Sequence, residues 1–228
     1  MKITDLKNKT VAAAVSGGLD SCTIVRWLTD NGVNVVCFTA DLGQPDEPDL
    51  SEVQKRLIAC GAKEAVIVAA KDKMAEAGCL AIQAQALYEG EYWNTTGIGR
   101  HVLVSTILPE MKKRGIGVLI HGATGRGNDQ VRFQLITNML EPSFEVYAPW
   151  RDETFIKTFG GRKEMIDFCV SRGLPIKHTH DKPYSTDANV LGLTHEAGKL
   201  EYLNVPAMFI EPEMGTMPTQ APDEKEIF

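Results

Sequence analysis

Two glycine-rich segments carry most of the chemistry this sequence offers. The first, Ser16-Gly17-Gly18-Leu19-Asp20-Ser21, sets two hydroxyls and a carboxylate around a pair of glycines. Glycines let the backbone turn sharply and approach a ligand with no Cβ in the way. Where a helix opens at such a turn, its free N–H groups point at an anion and its dipole favours negative charge. Ser16 and Ser21 then donate to phosphate oxygens. Asp20 repels a bare phosphate, so it caps the helix, holds Mg2+, or does both. The segment matches neither G-x-x-x-x-G-K-[ST] nor G-x-G-x-x-G, which separates it from the Walker and dinucleotide loops. A purely structural Gly-Gly turn is the plainer alternative.

The second segment is Gly122-Ala123-Thr124-Gly125-Arg126-Gly127-Asn128-Asp129-Gln130-Val131-Arg132-Phe133. Its small residues keep side chains clear of a ligand. Thr124, Asn128 and Asp129 offer a hydroxyl, an amide and a carboxylate at one helix start. Arg132 follows Asn128 by one turn and shares its helix face. Such a cluster suits zwitterionic amino acids, whose ammonium seeks a carboxylate and whose carboxylate seeks an Arg or free N–H groups. Here too a capped Gly-rich turn is the plainer alternative.

Both segments need strands to aim them. Short apolar runs at 10–15, 33–39, 65–70, 117–120 and 144–148 read as buried strands, separated by amphipathic stretches. Ile24, Trp27 and Leu28 fall at i, i+3 and i+4, a stripe facing a sheet. Further helices are expected from Ser51, as its cap, to Gly61, and over 71–86, 102–114 and 128–140. Residues 87–100 fit neither period, and 177–201 read as mixed and loop-rich. This alternation predicts an α/β fold, a doubly wound and mostly parallel sheet with helices on both faces. Ligands in such sheets sit beyond the C-terminal strand ends, where both glycine segments fall. Residues 1–204 are expected to form this domain. Residues 205–228, with prolines at 206, 212, 218 and 222, read as an extended arm.

Bulk properties narrow the ligand. A net charge of -6 and a pI near 5.4 give no global attraction for nucleic acid. No run approaches the ~18 apolar residues of a membrane span. Five cysteines without a C-x-x-C pair point to reduced thiols in a cytoplasmic core. His178 and His180 read as a solvated strand edge rather than a metal pair, and His121 as a packed or backbone-bonded histidine. Small molecules are the expected ligands.

The first segment, between a strand and a helix, resembles the PP-loop family of ATP pyrophosphatases, which split ATP between its α and β phosphates. The second resembles the G-A-T-G-x-G-N-D-x-x-R-F signature of the argininosuccinate synthase family. Further matches run in order along nearly the whole chain: Asp41-Leu42-Gly43-Gln44-Pro45, Tyr92-Trp93-Asn94-Thr95-Thr96, Ala148-Pro149-Trp150, Gly160-Gly161-Arg162, Tyr184-Ser185-Thr186-Asp187-Ala188-Asn189, and 194–202. The resemblance implies a ligase. Citrulline's ureido oxygen is adenylated by ATP with Mg2+, and aspartate then displaces AMP. It assigns ATP to Ala14, Ser16, Gly17, Gly18, Leu19, Asp20, Ser21, Cys22, Ala40, Gly122, Thr124 and Asp187. Aspartate falls to Thr124, Asn128 and Asp129, and citrulline to Tyr92, Asn128, Arg132, Ser185, Thr194 and Glu196. Catalysis is then electrostatic and positional, through Asp20, Asp129 and Arg132, with no general base evident.

Two departures stand out. Cys22 replaces the serine of the family's S-G-G-L-D-T-S, a weaker donor toward phosphate. Family members also continue into a synthetase and multimerisation domain, whereas the sequence stops at Glu226-Ile227-Phe228. Self-association weaker than in full-length relatives is therefore expected. Two other readings stay open: a short PP-loop enzyme adenylating another amino acid or amide, and a non-catalytic ATP-binding remnant.

Overall fold

A computed structural model of the chain describes residues 1–45, 47–176, 184–196 and 198–225. Five strands form one parallel sheet: β1 (Thr10–Ala14), β2 (Asn34–Asp41), β3 (Glu64–Ala69), β4 (Val118–His121) and β5 (Glu145–Tyr147). Their order is β3-β2-β1-β4-β5. The chain winds outward from β1 through β2 to β3, then crosses back to place β4 against β1, with Ala12 opposite Leu119 and Ala14 opposite His121. The sheet therefore reverses direction between β1 and β4. That reversal opens a crevice beyond their C-terminal ends.

Alternation along β1 explains why helices cover both faces. Val11, Ala13 and Val15 point into one core with Cys22, Ile24, Val25, Trp27 and Leu28 of α1 (Leu19–Asp30) and Val53 and Leu57 of α2 (Leu50–Ala59). Phe155, Phe159, Met165 and Cys169 complete that face. They come from α6 (Glu153–Thr158), α7 (Arg162–Ser171) and the turn between them. Ala12 and Ala14 face the other side, packed with Val104, Ile107, Leu108 and Met111 of α4 (Thr95–Lys113) and Phe133 of α5 (Asn128–Leu140). α3 (Lys71–Gln83) adds a smaller core through Met74 against Val102. The doubly wound α/β architecture expected from the sequence is the one observed.

Local details differ from expectation. Asp49, not Ser51, caps α2: its Oδ1 accepts the Ser51 amide at 2.9 Å. α4 begins at Thr95 rather than near 102, so most of the aperiodic segment's end is helical. Part of the loop-rich stretch is an antiparallel hairpin, β6 (Ser185–Asn189) with β7 (Gly192–Glu196). The hairpin is tied to the domain by Val190, whose amide donates to the Leu42 carbonyl at 2.9 Å. The described part of 205–225 holds only short 3-10 turns. It folds back far enough for the Glu211 amide to donate to the Tyr184 hydroxyl at 3.0 Å. His178 and His180 lie outside the described residues.

Candidate functional site

The turn after β1 is held by a glycine conformation and by a guanidinium on its carbonyl. Gly17 has φ +80°, and a Cβ there would lie 2.7 Å from Val53 Cγ1. Only glycine takes this turn without strain. Its carbonyl accepts from Arg56 Nη1 at 2.8 Å, a buried guanidinium that also bonds Glu47. The Gly17 carbonyl is thereby turned back toward α2. The Ser16 amide donates to Ser21 Oγ at 3.1 Å. Gly18, rather than Asp20, is the N-cap of α1, and no side chain caps it. Asp20 instead accepts from Trp150 Nε1 at 3.2 Å. Burial pushes the Asp20 carboxyl above its ordinary range, opposed by that indole N–H and by the Arg162 charge.

The second loop stands beside the first. Gln130 Nε2 donates to the Ala123 carbonyl at 2.7 Å and fixes its path into α5. His121 lies beneath it, stacked on Phe133 with centroids 4.4 Å apart, its Nδ1 accepting the Ala123 amide at 3.3 Å. Burial lowers its pKa to about 4, so it is a neutral, packed histidine, as expected. At the head of α5, Asp129 is held from two sides. Arg100 Nε donates to Oδ2 at 2.7 Å and Arg132 Nη1 to Oδ1 at 2.8 Å. Burial disfavours the Asp129 charge, but the two guanidinium groups outweigh it and hold the carboxyl below its usual range. Arg100 also pairs with Asp187 of β6.

These groups open onto one cleft of about 740 Å³. Among the residues expected at a site, Ala14, Ser16, Asp20, Ser21, Ala40, Gly122, Thr124, Asn128, Asp129, Arg132, Ser185, Asp187 and Glu196 line it. Gly17, Gly18 and Leu19 shape the loop behind that wall. Tyr92 and Thr194 reach it through Thr96, a lining residue: the Thr96 amide donates to the Tyr92 hydroxyl at 3.2 Å, and its Oγ1 lies 3.2 Å from Thr194 Oγ1. Cys22 departs from expectation. Its side chain is wholly buried, with Sγ 3.7 Å from the Gly17 carbonyl, and is not part of the cleft wall.

Sequence reasoning assigned no site role to Arg100 or Thr39, and quoted Gln44 and Trp150 only within matches to the family. Arg100 was legible only as the end of a polar segment that fitted no period; its partners lie far along the chain. Thr39 and Gln44 line the cleft, Thr39 Oγ1 donating to the Val15 carbonyl at 2.8 Å and Gln44 Nε2 to the Ala40 carbonyl at 3.2 Å. Among the described residues, no group of three or more His, Cys, Asp or Glu is arranged to hold a metal by protein ligands alone. None of their helices is long and apolar enough to cross a membrane. All five cysteines are free, four of them buried.

A reversed parallel sheet with a glycine loop on each side of its switch point defines an α/β domain of the HUP class, and residues 10–175 match the family model described as "Arginosuccinate synthase N-terminal HUP domain". The chain is also 41% identical, over 220 residues, to the argininosuccinate synthase of Rhodopirellula baltica. It belongs to the argininosuccinate synthase family. That alignment takes in 96% of this chain and 54% of the relative, so the chain spans about half the length of the curated relative it matches. A solved structure, the predicted subunit of tRNA methyltransferase from Methanocaldococcus jannaschii, is 16% identical with a TM-score of 0.46, over 71% of this chain and 75% of that one. That likeness is too slight to inform fold or function.

Proposed function

We propose that the cleft is the nucleotide and amino-acid site of an argininosuccinate synthase reaction. The observation that carries this reading is the juxtaposition of the two glycine loops at the ends of β1 and β4, with Asp129, Arg132, Ser185, Asp187 and Glu196 on the same cleft. The first loop, Ser16 to Ser21, takes the ATP phosphates through backbone N–H groups and hydroxyls, with Ala40 and Gly122 against the nucleotide. Mg2+ bound with ATP would neutralise phosphate charge. Asp20, a carboxylate on the cleft wall, suits the one or two protein ligands that this ion takes.

Citrulline is held by Arg132 and Glu196, which match its carboxylate and ammonium, with Ser185, Thr194, Tyr92 and Asn128 around them. Its ureido oxygen attacks the α-phosphorus and pyrophosphate leaves. Aspartate, on Thr124, Asn128 and Asp129, then attacks the activated carbon through its amine, AMP leaves and the amine loses a proton. Each Asp129 oxygen already accepts a guanidinium N–H, yet each keeps a further lone pair for a substrate ammonium. Holding the reactants in line and neutralising charge supply the rate enhancement. The setting consistent with this chemistry is the cytoplasm.

Pyrophosphate release from Mg-ATP tests the reading, with citrulline and aspartate each present or absent. Release that needs citrulline, followed by argininosuccinate when aspartate is added, is expected. Release with a different amino acid or amide, or ATP binding with no release, overturns it.

A further inference from the structure

Trp150 follows β5 in a short 3-10 turn, Pro149–Arg151, and touches both glycine loops. Its indole Nε1–H donates to Asp20 Oδ1 at 3.2 Å, in the first turn of α1. Its backbone carbonyl lies where a side chain at position 125 would be: a Cβ on Gly125 would come within 2.5 Å of that oxygen. The second loop is therefore seated on the main chain of the residue whose side chain holds the first. The ring itself is anchored. Its edge meets Phe155 at 5.1 Å and 81°, and Phe155 is buried against Trp27 of α1 at 5.0 Å and Phe159 at 4.8 Å. The turn is pinned by its neighbour Asp152, which accepts the Tyr147 hydroxyl at 2.7 Å and the Ile3 amide at 2.9 Å.

We infer that Trp150 is a positioning residue that sets the two glycine loops relative to one another, its indole N–H orienting the Asp20 carboxylate and its carbonyl seating Gly125. A buried carboxylate without a donor is costly. An indole supplies one donor on a rigid ring and no competing acceptor. The significance for catalysis rests on the nucleotide reading of the first loop; the tie between the loops does not.

The test uses the whole chain, labelled for indole N–H resonances, with Trp150→Phe identifying the Trp150 signal among the three tryptophans. Asp20→Ala is expected to move that signal upfield as the bond to the carboxylate is lost, and Gly125→Ala to move it as the carbonyl is displaced. Calorimetry with Mg-ATP supplies the second readout. Trp150→Phe keeps a ring against Phe155 but lacks the N–H, and is expected to weaken binding about tenfold, as for loss of a hydrogen bond to a charged group. In an Asp20→Ala background the same change is expected to cost less than about twofold. An unmoved indole signal in Asp20→Ala, or an equal tenfold loss in both backgrounds, overturns the inference. If the indole shifts occur while wild-type protein has no affinity for Mg-ATP, the nucleotide reading fails and the tie between the loops stands.

Discussion

Arg100 of α4 donates its Nε–H to Asp129 of α5 at 2.7 Å, while the same guanidinium pairs with Asp187 on the hairpin. One cation thus joins three elements that meet nowhere near each other in sequence. Both Arg100 and Asp129 keep about a fifth of their side chains exposed, so solvent screens the pair only in part.

Replacing Arg100 by alanine removes the guanidinium from Asp187 and leaves Asp129 with Arg132 alone, in a half-buried gap. The expected loss of stability is about 1–3 kcal/mol, set by uncompensated charge rather than by the worth of the pair itself. Lysine recovers only part of it, since a point charge cannot reach two carboxylates as a planar fork does. Urea unfolding of the three proteins checks this. Asp129 has a depressed pKa, so its contribution is present above the ordinary carboxylate range and disappears as acid protonates the folded state. Arg100→Ala should therefore lose less stability on acidification than the wild type does.

Gly17→Ala tests the turn. The substitution meets both a left-handed backbone and Val53 Cγ1 at 2.7 Å. It is expected to lower the melting temperature by several degrees, for a cost of about 1–3 kcal/mol. Mg-ATP binding should fall below detection, because the peptide held by Arg56 must move. Unchanged nucleotide affinity would remove this loop from the site.

Cys22→Ser restores the hydroxyl that the family pattern carries, yet at a position outside the cleft wall. The side chain is buried and faces the Gly17 carbonyl. Mg-ATP affinity is expected to change by less than about twofold, within the scatter of a mutation that makes no ligand contact. A gain near tenfold in calorimetry would mean that the side chain turns into the cleft.

His121 imposes a pH dependence of its own. Its folded pKa is near 4 against an unfolded value near 6.5. The unfolded chain therefore takes up the proton first, and stability is lost as pH falls from about 6.5 toward 4. At about 1.4 kcal/mol per pKa unit the full loss is about 3 kcal/mol. His121→Gln does not titrate there. Unfolding curves of the two proteins are expected to converge by roughly that amount between pH 7 and 4, and a constant gap between them would contradict the prediction.

The two glycine segments were legible because their constraint is local: a strand, a turn that only small residues permit, then a helix. The alternating apolar runs announced the parallel sheet for the same reason. What escaped was set by distant parts of the chain. Thr95 to Gly99 reads as polar and glycine-rich, yet is helical where the hairpin packs on it, the Asn189 amide donating to the Thr95 carbonyl at 3.3 Å. Arg100 inherits its importance from that packing. Ser51 carries the side chain expected of a cap, but Asp49 two residues earlier takes the position. Either residue satisfies the same orphan amide rule, so composition alone does not choose between them.

The pairing of β1 with β4 has a kinetic meaning as well. The strand that launches the first loop pairs with β2 early but finds its second neighbour, β4, only after α1, β2, α2, β3, α3 and α4 have been made, since Ala12 lies beside Leu119. During synthesis the cleft therefore cannot exist until β4 has left the ribosome, and the earlier β1-β2-β3 unit waits with one sheet edge unpaired. Contacts so distant in sequence delay folding, because the loop entropy is lost before the pairing returns anything. An exposed parallel edge is meanwhile open to other chains. The architecture that brings two glycine loops to one crevice thus makes that crevice a late product of folding, and the nascent chain's most vulnerable interval is the one before it closes.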